Sequence, residues 1–329
     1  MSALSATAIA SPNIAFVKYW GNRDKALRLP ASGSISMNLS GLTTHTRVTF
    51  DPALKQDILT LNGIQASGEP LARMARFLDI MRARAGSPLF AQVESRNNFP
   101  SGAGLASSAS AYAALTLASA KALGMNLAEN ELSCLARQGS GSACRSIPPG
   151  YVEWYPGTTD KESFAASIAS PDQWDLYDCI AILDPGEKRI GSSKGHDLAD
   201  SSPLQKARLA GAPARLKQCR KAISIQDFPS LADVIETESN LMHAVMMTSN
   251  PSLFYWQPVS LYLMKIVILW REEGIPVCYT LDAGPNVHLI CPAEAVDEVT
   301  YRLKNVPEVM DVLAARPGPG AHLIDQDLI

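Results

Sequence analysis

Charged residues are scarce in this sequence, and neither sign is in excess. They make up 19% of the 329 residues, and the formal net charge is −3. Proteins that bind nucleic acids carry strongly basic faces, so this balance excludes an extended contact with DNA or RNA. Two small basic clusters, at residues 73–76 and 215–221, are interpreted as solvated helix faces. We expect no nucleic-acid partner.

Metal-binding and membrane-spanning patterns are missing as well. The six cysteines include no C-x-x-C pair, and most lie in apolar segments, which indicates a reducing compartment. No histidine has a second ligand at helical spacing, so we predict no protein-bound metal. The longest apolar stretch, residues 259–270, is too short to cross a bilayer, and the first residues lack the basic segment of a signal peptide. We predict a cytoplasmic protein without membrane contact.

The sequence does contain enough apolar residues for a large core. They make up 47% of it, and a chain of this length predicts two domains. Residues 44–50 and 58–61 have the pattern of strands, and helical spacing occurs at 71–84, 105–123, 128–138, 204–223, 228–248 and 258–273. A strand at 179–184 ends at Pro185-Gly186, where we place a domain boundary. We predict an α+β protein with domains 1–185 and 186–329, which ends in a turn and an exposed tail.

The most specific local pattern is the stretch NNFPSGAGLASSASAYAAL, residues 97–115. Gly102 and Gly104 permit close approach of the backbone, and Ser107 and Ser108 fall at the start of a predicted helix. A helix N-terminus offers free N–H groups and a positive dipole end, so these residues are suited to bind phosphate. Close helix packing would also explain small residues here. A Walker A loop is excluded, because its Gly-Lys-Ser/Thr is missing.

This stretch resembles the ATP loop of the GHMP small-molecule kinase superfamily. Three further segments, KYWGNRD at 18–24, GSGSACRS at 139–146 and DAGPN at 282–286, resemble one branch of it. That branch contains the mevalonate 5-diphosphate decarboxylases and their mevalonate 5-phosphate decarboxylase relatives. The resemblance implies a GHMP-kinase fold, with an N-terminal α/β sandwich domain, a ferredoxin-like C-terminal domain and an active site in the cleft between them.

The same resemblance implies the ligands. It predicts ATP, Mg²⁺ on the ATP phosphates, a small phosphorylated mevalonate as substrate, and a homodimer such as other family members often form. The positions that match the ATP loop or adjoin it are Asn97, Pro100, Ser101, Gly102, Ala103, Gly104, Leu105, Ala106, Ser107 and Ser108.

Four residues carry the chemistry that the resemblance implies. Asp282 faces the tertiary hydroxyl of the substrate as a general base or orienting group, although an Asp before Gly also commonly fixes a turn. Lys18 keeps this carboxylate ionised. The alternative is that Lys18 is a lysine at the end of a strand whose side chain extends to solvent. Arg145, the one cation in a loop of small residues, binds the substrate carboxylate, unless it forms a structural ion pair. Asn13 matches another polar residue of the family's active site.

Two departures from the family pattern concern the phosphate tail of the substrate. Asn22 stands where diphosphate-using members typically have Lys, and the loop around residues 192–194 is one residue shorter, with His196 in place of Met. A charged contact to phosphate is worth about 1.5–3 kcal/mol, so we predict mevalonate 5-phosphate as substrate and isopentenyl phosphate as product. The predicted substrate-binding residues are Tyr19, Trp20, Gly21, Asn22, Ser140, Gly141, Ser142, Arg145, Ser192, Ser193 and Lys194.

Three alternatives stay open. The first is a mevalonate 5-diphosphate decarboxylase that forms isopentenyl diphosphate, since Lys194 and Arg73 are cations that could replace the missing one. The second is a kinase that stops at the phosphorylated alcohol; such relatives are expected to lack Asp282. The third is a non-catalytic ATP-binding protein, which the intact set of site residues disfavours. His243 lies in a Met-rich helix and is predicted to be core, and His196 is given no role of its own.

Overall fold

The structure, a computed structural model, describes residues 4–100, 107–184 and 191–325 and, for Ser192 and Ser193, the backbone alone. The α-helices in these ranges are α1 (Glu69–Ala85), α2 (Ser107–Ala122), α3 (Glu129–Gly139), α4 (Ser192–Leu198), α5 (Gln205–Ile225), α6 (Phe228–Thr248), α7 (Pro258–Glu272) and α8 (Val296–Lys304). The strands are β1 (Leu4–Ala10), β2 (Asn13–Val17), β3 (Asn22–Asp24), β4 (Leu29–Pro30), β5 (Ser34–Asn38), β6 (Thr44–Phe50), β7 (Ile58–Leu61), β8 (Ile64–Gln65), β9 (Ala91–Asn97), β10 (Tyr151–Trp154), β11 (Ala165–Ala169), β12 (Leu176–Ile182), β13 (Cys278–Thr280), β14 (Val287–Pro292), β15 (Asp311–Ala315) and β16 (His322–Ile324).

The largest sheet has six strands in the order β16-β1-β6-β9-β7-β8, antiparallel except where β7 pairs with β9. Helix α2 packs on this sheet through small side chains: Ala6 and Ala8 of β1 and Ala113 and Ala118 of α2 all lie in one buried cluster. Short side chains let the helix approach the sheet closely. The alanine-rich sequence of α2 therefore fixes the helix against the sheet and, with it, the position of its N-terminus.

Two four-stranded antiparallel sheets meet in a second core. Their orders are β11-β10-β5-β2 and β13-β14-β12-β15. Ile14 of β2, Ile180 of β12 and Ile290 of β14 belong to the same buried cluster, together with Ile235 of α6. This continuous core holds the end of β2 beside the turn that follows β13, although about 260 residues separate the two segments along the chain.

The predicted α+β class is confirmed, with a helix-covered antiparallel sheet in the C-terminal half. The division after residue 185 stays a prediction. Strand β12, placed by that division in the first domain, is hydrogen bonded to β14 and β15, so the C-terminal sheet already begins at Leu176. No helix in the described ranges has the length and apolar character needed to cross a membrane.

The C-terminal residues 322–324 are largely exposed, as predicted, but they do not form a free tail. These residues form β16, which pairs with the edge strand β1 in the register Thr7↔Ile324 to Ile9↔His322. Pro317 also forms a bridge to Leu39 of the N-terminal half. A strand of three residues gives no periodic pattern to detect, and its pairing depends on an edge strand more than 300 residues earlier.

Candidate active site

A cavity of about 730 Å³ opens where the end of β2 faces the turn after β13. Helix α1, the first residues of α2, the turn after α3, and α4 complete its wall. The predicted catalytic and substrate-binding residues that line it are Lys18, Tyr19, Trp20, Ser142, Arg145, Lys194 and Asp282. The structure thus brings together residues from four separate segments of the sequence.

Lys18 and Asp282 form an ion pair at the wall of this cavity. The Lys18 Nζ lies 2.7 Å from Asp282 Oδ1, and the two side chains are 1% and 26% exposed. Burial raises the pKa of Asp282, but Lys18, His288 and Arg145 together lower it by more, and the net pKa lies below its ordinary value. Burial lowers the pKa of Lys18, although Asp282 opposes the shift. The pair presents an ionised carboxylate to the cavity.

Arg145 is a buried cation with neutral partners. It lies on a 3₁₀ turn, Gly141–Ser146, and is 3% exposed. Its guanidinium donates to Asn13 Oδ1 at 3.0 and 3.2 Å and to Ser34 Oγ at 2.5 Å. Among the described residues no carboxylate forms an ion pair with it, so the alternative of a structural ion pair is not met. A buried charge without a counter-ion is costly, which suits a site for an anionic ligand.

Asn13 supports Arg145 and does not belong to the cavity wall that the described residues form. It is 1% exposed, and its Nδ2 donates to Ser146 Oγ at 2.8 Å and to the Ser142 carbonyl at 3.2 Å. These bonds turn Oδ1 toward the guanidinium. The predicted catalytic role stays a prediction, and the contacts in the structure support a positioning role, because the amide oxygen accepts hydrogen bonds from the Arg145 guanidinium.

Tyr19 and Asn22 are joined by a hydrogen bond, in which the Tyr19 hydroxyl donates to Asn22 Oδ1 at 2.5 Å. Among the described residues Gly21 and Asn22 are not part of the cavity lining, and their role in substrate binding stays a prediction. Gly141 lies behind Tyr19: a Cβ at this position would come within 2.4 Å of the Tyr19 ring. Only glycine lets the ring pack against this loop.

Several cations line the cavity besides Lys18 and Arg145. They are Lys25, Arg28, Arg73, Arg76 and Lys194. Arg28 and Arg73 are fixed by carbonyl groups at the end of α3, with Nε of Arg28 3.0 Å from Gln138 O and Nη2 of Arg73 3.0 Å from Gly139 O. The interpretation of residues 73–76 as a solvated face therefore fails for Arg73 but agrees with the exposed Arg76, which pairs with Glu69. Helical spacing places both arginines on one face but cannot tell bulk solvent from a cavity.

The start of α2 faces both this cavity and a second one of about 480 Å³. Ser107 and Ser108 line both, and Ser108 Oγ lies 3.2 Å from Ser140 Oγ, which connects the predicted nucleotide and substrate residues. The second cavity is walled by apolar side chains such as Leu59, Met74 and Val93, and Asn97 lies at its edge. Pro100 is exposed, whereas Ser101, Gly102, Ala103, Gly104, Leu105 and Ala106 lie outside the described residues, as do the side chains of Ser192 and Ser193.

His196 is a cavity residue for which we predicted no role of its own. Its ring lies between Tyr19 and Trp20, with centroid distances of 4.1 and 4.5 Å. The only signal in the sequence was its place in the short segment 192–196, since the contact to Gly21 spans 175 residues. His243 is buried against Trp256 at 4.9 Å, in agreement with its prediction as a core residue.

Family models cover both halves of the chain. The model described as the diphosphomevalonate decarboxylase-like N-terminal domain matches residues 10–165, and that of the mevalonate 5-diphosphate decarboxylase C-terminal domain matches residues 179–316. The chain belongs to the mevalonate diphosphate decarboxylase family. The predicted GHMP-kinase fold and the prediction of an ATP-dependent carboxy-lyase are thereby confirmed.

Individual relatives agree with this assignment. A diphosphomevalonate decarboxylase of Ganoderma lucidum is 35% identical over 91% of this chain and 81% of its own length. The solved mevalonate diphosphate decarboxylase of Staphylococcus aureus has a TM-score of 0.94 at 37% identity, over 98% of this chain and 99% of its own. A solved complex with MVAPP (mevalonate diphosphate), AMPPCP and magnesium has a TM-score of 0.93 at 38% identity, over 98% and 100% of the two chains. AMPPCP is an ATP analogue, so the prediction of ATP and Mg²⁺ is confirmed for the family.

Proposed function

We propose that this protein decarboxylates mevalonate 5-diphosphate with consumption of ATP, forming isopentenyl diphosphate, ADP, phosphate and carbon dioxide. The observation that supports this most is the ionised Asp282, held by Lys18, beside the buried and unpaired Arg145 in one cavity. A tertiary alcohol and a carboxylate on the same small molecule would each meet a suitable group there. The predicted monophosphate substrate becomes the second candidate.

Different residues of the chain would have separate roles in such a reaction. Asp282 accepts the hydrogen bond of the tertiary hydroxyl and takes its proton, and Lys18 stabilises the negative charge that passes to the transferred group. Arg145 holds the substrate carboxylate in place until it leaves as carbon dioxide and the alkene forms. The side chains that line the second cavity and the serines at the start of α2 fit a nucleotide with its phosphates at the helix N-terminus.

ATP would supply the phosphoryl group that makes the hydroxyl a leaving group, with Mg²⁺ neutralising its phosphates. In the described ranges no group of three His, Cys, Asp or Glu side chains is placed to hold a metal. This agrees with the ordinary behaviour of Mg²⁺ at nucleotide sites, where phosphates and water supply most ligands.

The cations of the cavity favour the diphosphate. Asn22 removed one positive charge from the predicted tail site, which was the reason for predicting a monophosphate. Arg28, Arg73 and Lys194 line the same cavity and form no ion pair among the described residues, whereas Lys25 and Arg76 pair with Asp197 and Glu69. Three free cations therefore compensate for the one charge that Asn22 removes. The relatives reported above also carry the diphosphate in their names. One observation still favours mevalonate 5-phosphate: Asn22 is engaged by Tyr19 and offers no charge.

Steady-state kinetics with both substrates tests the proposal. We expect a kcat/KM at least tenfold higher for mevalonate 5-diphosphate than for mevalonate 5-phosphate, with carbon dioxide and ADP formed in equal amounts. A preference for the monophosphate would establish the second candidate, and ADP without carbon dioxide would indicate a kinase. Asp282→Asn serves as the control that should still bind nucleotide but release no carbon dioxide. Asn22→Lys should shift the ratio further toward the diphosphate.

A further inference from the structure

His196 is held in one orientation by three neighbours. Its ring lies between those of Tyr19 and Trp20, and its Nδ1 accepts a hydrogen bond from the main-chain N–H of Gly21 at 3.0 Å. The preceding residue, Gly195, permits this packing, because a Cβ there would come within 2.5 Å of the Trp20 ring. The imidazole therefore has little freedom to rotate or withdraw.

The bond to Gly21 also determines where the ring carries its proton. A nitrogen that accepts a hydrogen bond carries no hydrogen, so the neutral ring has its N–H at Nε2. Burial lowers the pKa of His196 to about 3, and the cations of Arg28, Arg208 and Arg145 lower it in the same direction. The ring is neutral at physiological pH. Within the described part of the chain Nε2 has no hydrogen-bond partner, and the side chain lines the cavity.

We propose that His196 binds a phosphate group of the substrate by donating the hydrogen of Nε2 to a phosphate oxygen. This inference rests on the proposed function, since it assigns a contact to the phosphate tail of that substrate. Lys194 lies on the same short helix and lines the same cavity, which makes an anion the fitting acceptor. The cations of the cavity attract a phosphate group but do not fix its orientation. A fixed neutral N–H orients the phosphate, because a hydrogen bond depends on the direction of the donor.

Two substitutions separate the hydrogen bond from the packing. His196→Asn keeps an oxygen where Nδ1 accepts from Gly21 but has no donor at the place of Nε2. His196→Gln places an amide N–H near the position of Nε2 but loses the stacked ring. We expect His196→Asn to raise the KM for the phosphorylated substrate about ten- to a hundredfold, the loss typical of a hydrogen bond to a charged group. His196→Gln should recover most of this, and the KM for ATP should be unchanged in both.

The binding of inorganic pyrophosphate to the protein can be measured without any decarboxylation. Its dissociation constant should rise in His196→Asn and recover in His196→Gln, with melting temperatures recorded to show that both variants are folded. An equal loss of pyrophosphate affinity in the two variants would mean that His196 only packs against the cavity wall. Wild-type affinity in both variants would exclude a contact between His196 and phosphate. Either result overturns the inference. If the wild-type protein decarboxylates neither substrate but shows this pattern with pyrophosphate, the proposed function fails while the phosphate contact stands. His322→Asn, on β16 and outside the cavity wall, is the matched control and should change neither value.

Discussion

Glu238 accepts a hydrogen bond from the main-chain N–H of Lys18, with Oε2 3.1 Å from the nitrogen. Arg208 completes the arrangement: its Nη2 donates to the Lys18 carbonyl at 2.7 Å and to Glu238 Oε2 at 3.1 Å. Arg215 pairs with the other carboxylate oxygen, and Glu238 is 0% exposed. A buried ion-pair cluster on α5 and α6 thus binds both the main-chain N–H and the main-chain carbonyl of Lys18, the residue whose side chain contacts Asp282.

This cluster predicts that Glu238 positions Lys18 for the reaction. Glu238→Gln leaves Arg208 and Arg215 without their counter-ion, and breaking a buried pair in this way costs about 3–5 kcal/mol of unfolding free energy. In the folded fraction we expect kcat to fall about tenfold or more, because a small displacement of a catalytic group is costly, while the KM for ATP stays near wild type. Urea unfolding and steady-state kinetics measure the two effects.

Glu238→Asp is the conservative variant for this test, because it keeps the negative charge and shortens the side chain by one methylene group. It should recover part of kcat together with most of the stability. If Glu238→Gln lowers stability but the folded enzyme turns over at the wild-type rate, the cluster is structural only and does not position Lys18.

The ion pair of Lys18 and Asp282 predicts the pH dependence of kcat/KM. The pKa of Asp282 is lowered, so this group stays ionised down to pH values below about 3.8. The pKa of Lys18 is lowered from 10.5, so its charge is lost earlier than usual as pH rises. We therefore expect activity to decline on the alkaline side, below pH 10.5, as Lys18 becomes neutral. A pH profile of kcat/KM, which reports the free enzyme, measures this.

Lys18→Arg should move that alkaline decline to higher pH, since a guanidinium stays protonated there. Lys265→Arg, an exposed position on α7, is the control that should leave the profile unchanged. An alkaline limb that does not respond to Lys18→Arg would show that another group titrates.

The unpaired cation of Arg145 predicts a separation of function from stability. Arg145→Met removes the anchor for the substrate carboxylate, and we expect kcat/KM to fall about a hundredfold or more while nucleotide binding persists. Because Arg145 forms no ion pair among the described residues, its removal should lower the unfolding free energy of the ligand-free protein only by the loss of its hydrogen bonds to Asn13 and Ser34, which is less than the cost of breaking a buried ion pair. Denaturant unfolding without ligands checks this.

Arg82→Met is the matched comparison, because Arg82 is also largely buried, at 8% exposed against 3% for Arg145, but is paired with Asp57 at 2.9 and 3.0 Å. That substitution strands a buried carboxylate and should cost about 3–5 kcal/mol. A similar loss in both variants would contradict the view that Arg145 is kept for a ligand.

The sequence predicted those features that depend on local pattern or on a resembling motif. Alternation gave the strand Thr44–Phe50 with its observed bounds, and helical spacing did the same for Phe228–Thr248. The motif segments gave Lys18, Arg145 and Asp282, which the fold brings to one cavity. Each of these follows from residues that are neighbours in the chain or from a string that resembles a family.

The features that were missed arise from tertiary contacts between distant segments. Glu238 and Lys18 are 220 residues apart, and His196 and Gly21 are 175 apart, so no window of sequence contains both partners. The hydrogen bond from the Tyr19 hydroxyl to Asn22 Oδ1 was also missed, because the sequence context of Asn22 does not reveal it. The direction in which a side chain points was the least predictable part of the site.

His243 predicts how stability responds to acid. It is 1% exposed, and burial, followed by the nearby Lys18 charge, lowers its pKa to about 3. In the unfolded chain the pKa is about 6.5, so between pH 6.5 and about 3 the unfolded state binds a proton that the folded state does not. The unfolding free energy therefore falls as pH decreases through this window, by about 1.4 kcal/mol per pH unit for this one group. Above pH 6.5 the group contributes no slope.

His243→Phe keeps an aromatic ring against Trp256 and removes the titrating group. The slope of unfolding free energy against pH between about 4 and 6 should then decrease by one proton relative to wild type, as measured by urea unfolding at several pH values. A loss of stability above pH 6.5, where the group contributes no slope, would reflect packing alone and would not count against the prediction. A slope that is the same in both proteins would mean that His243 is already protonated in the folded state, and the burial of a neutral imidazole beside Lys18 would have to be abandoned.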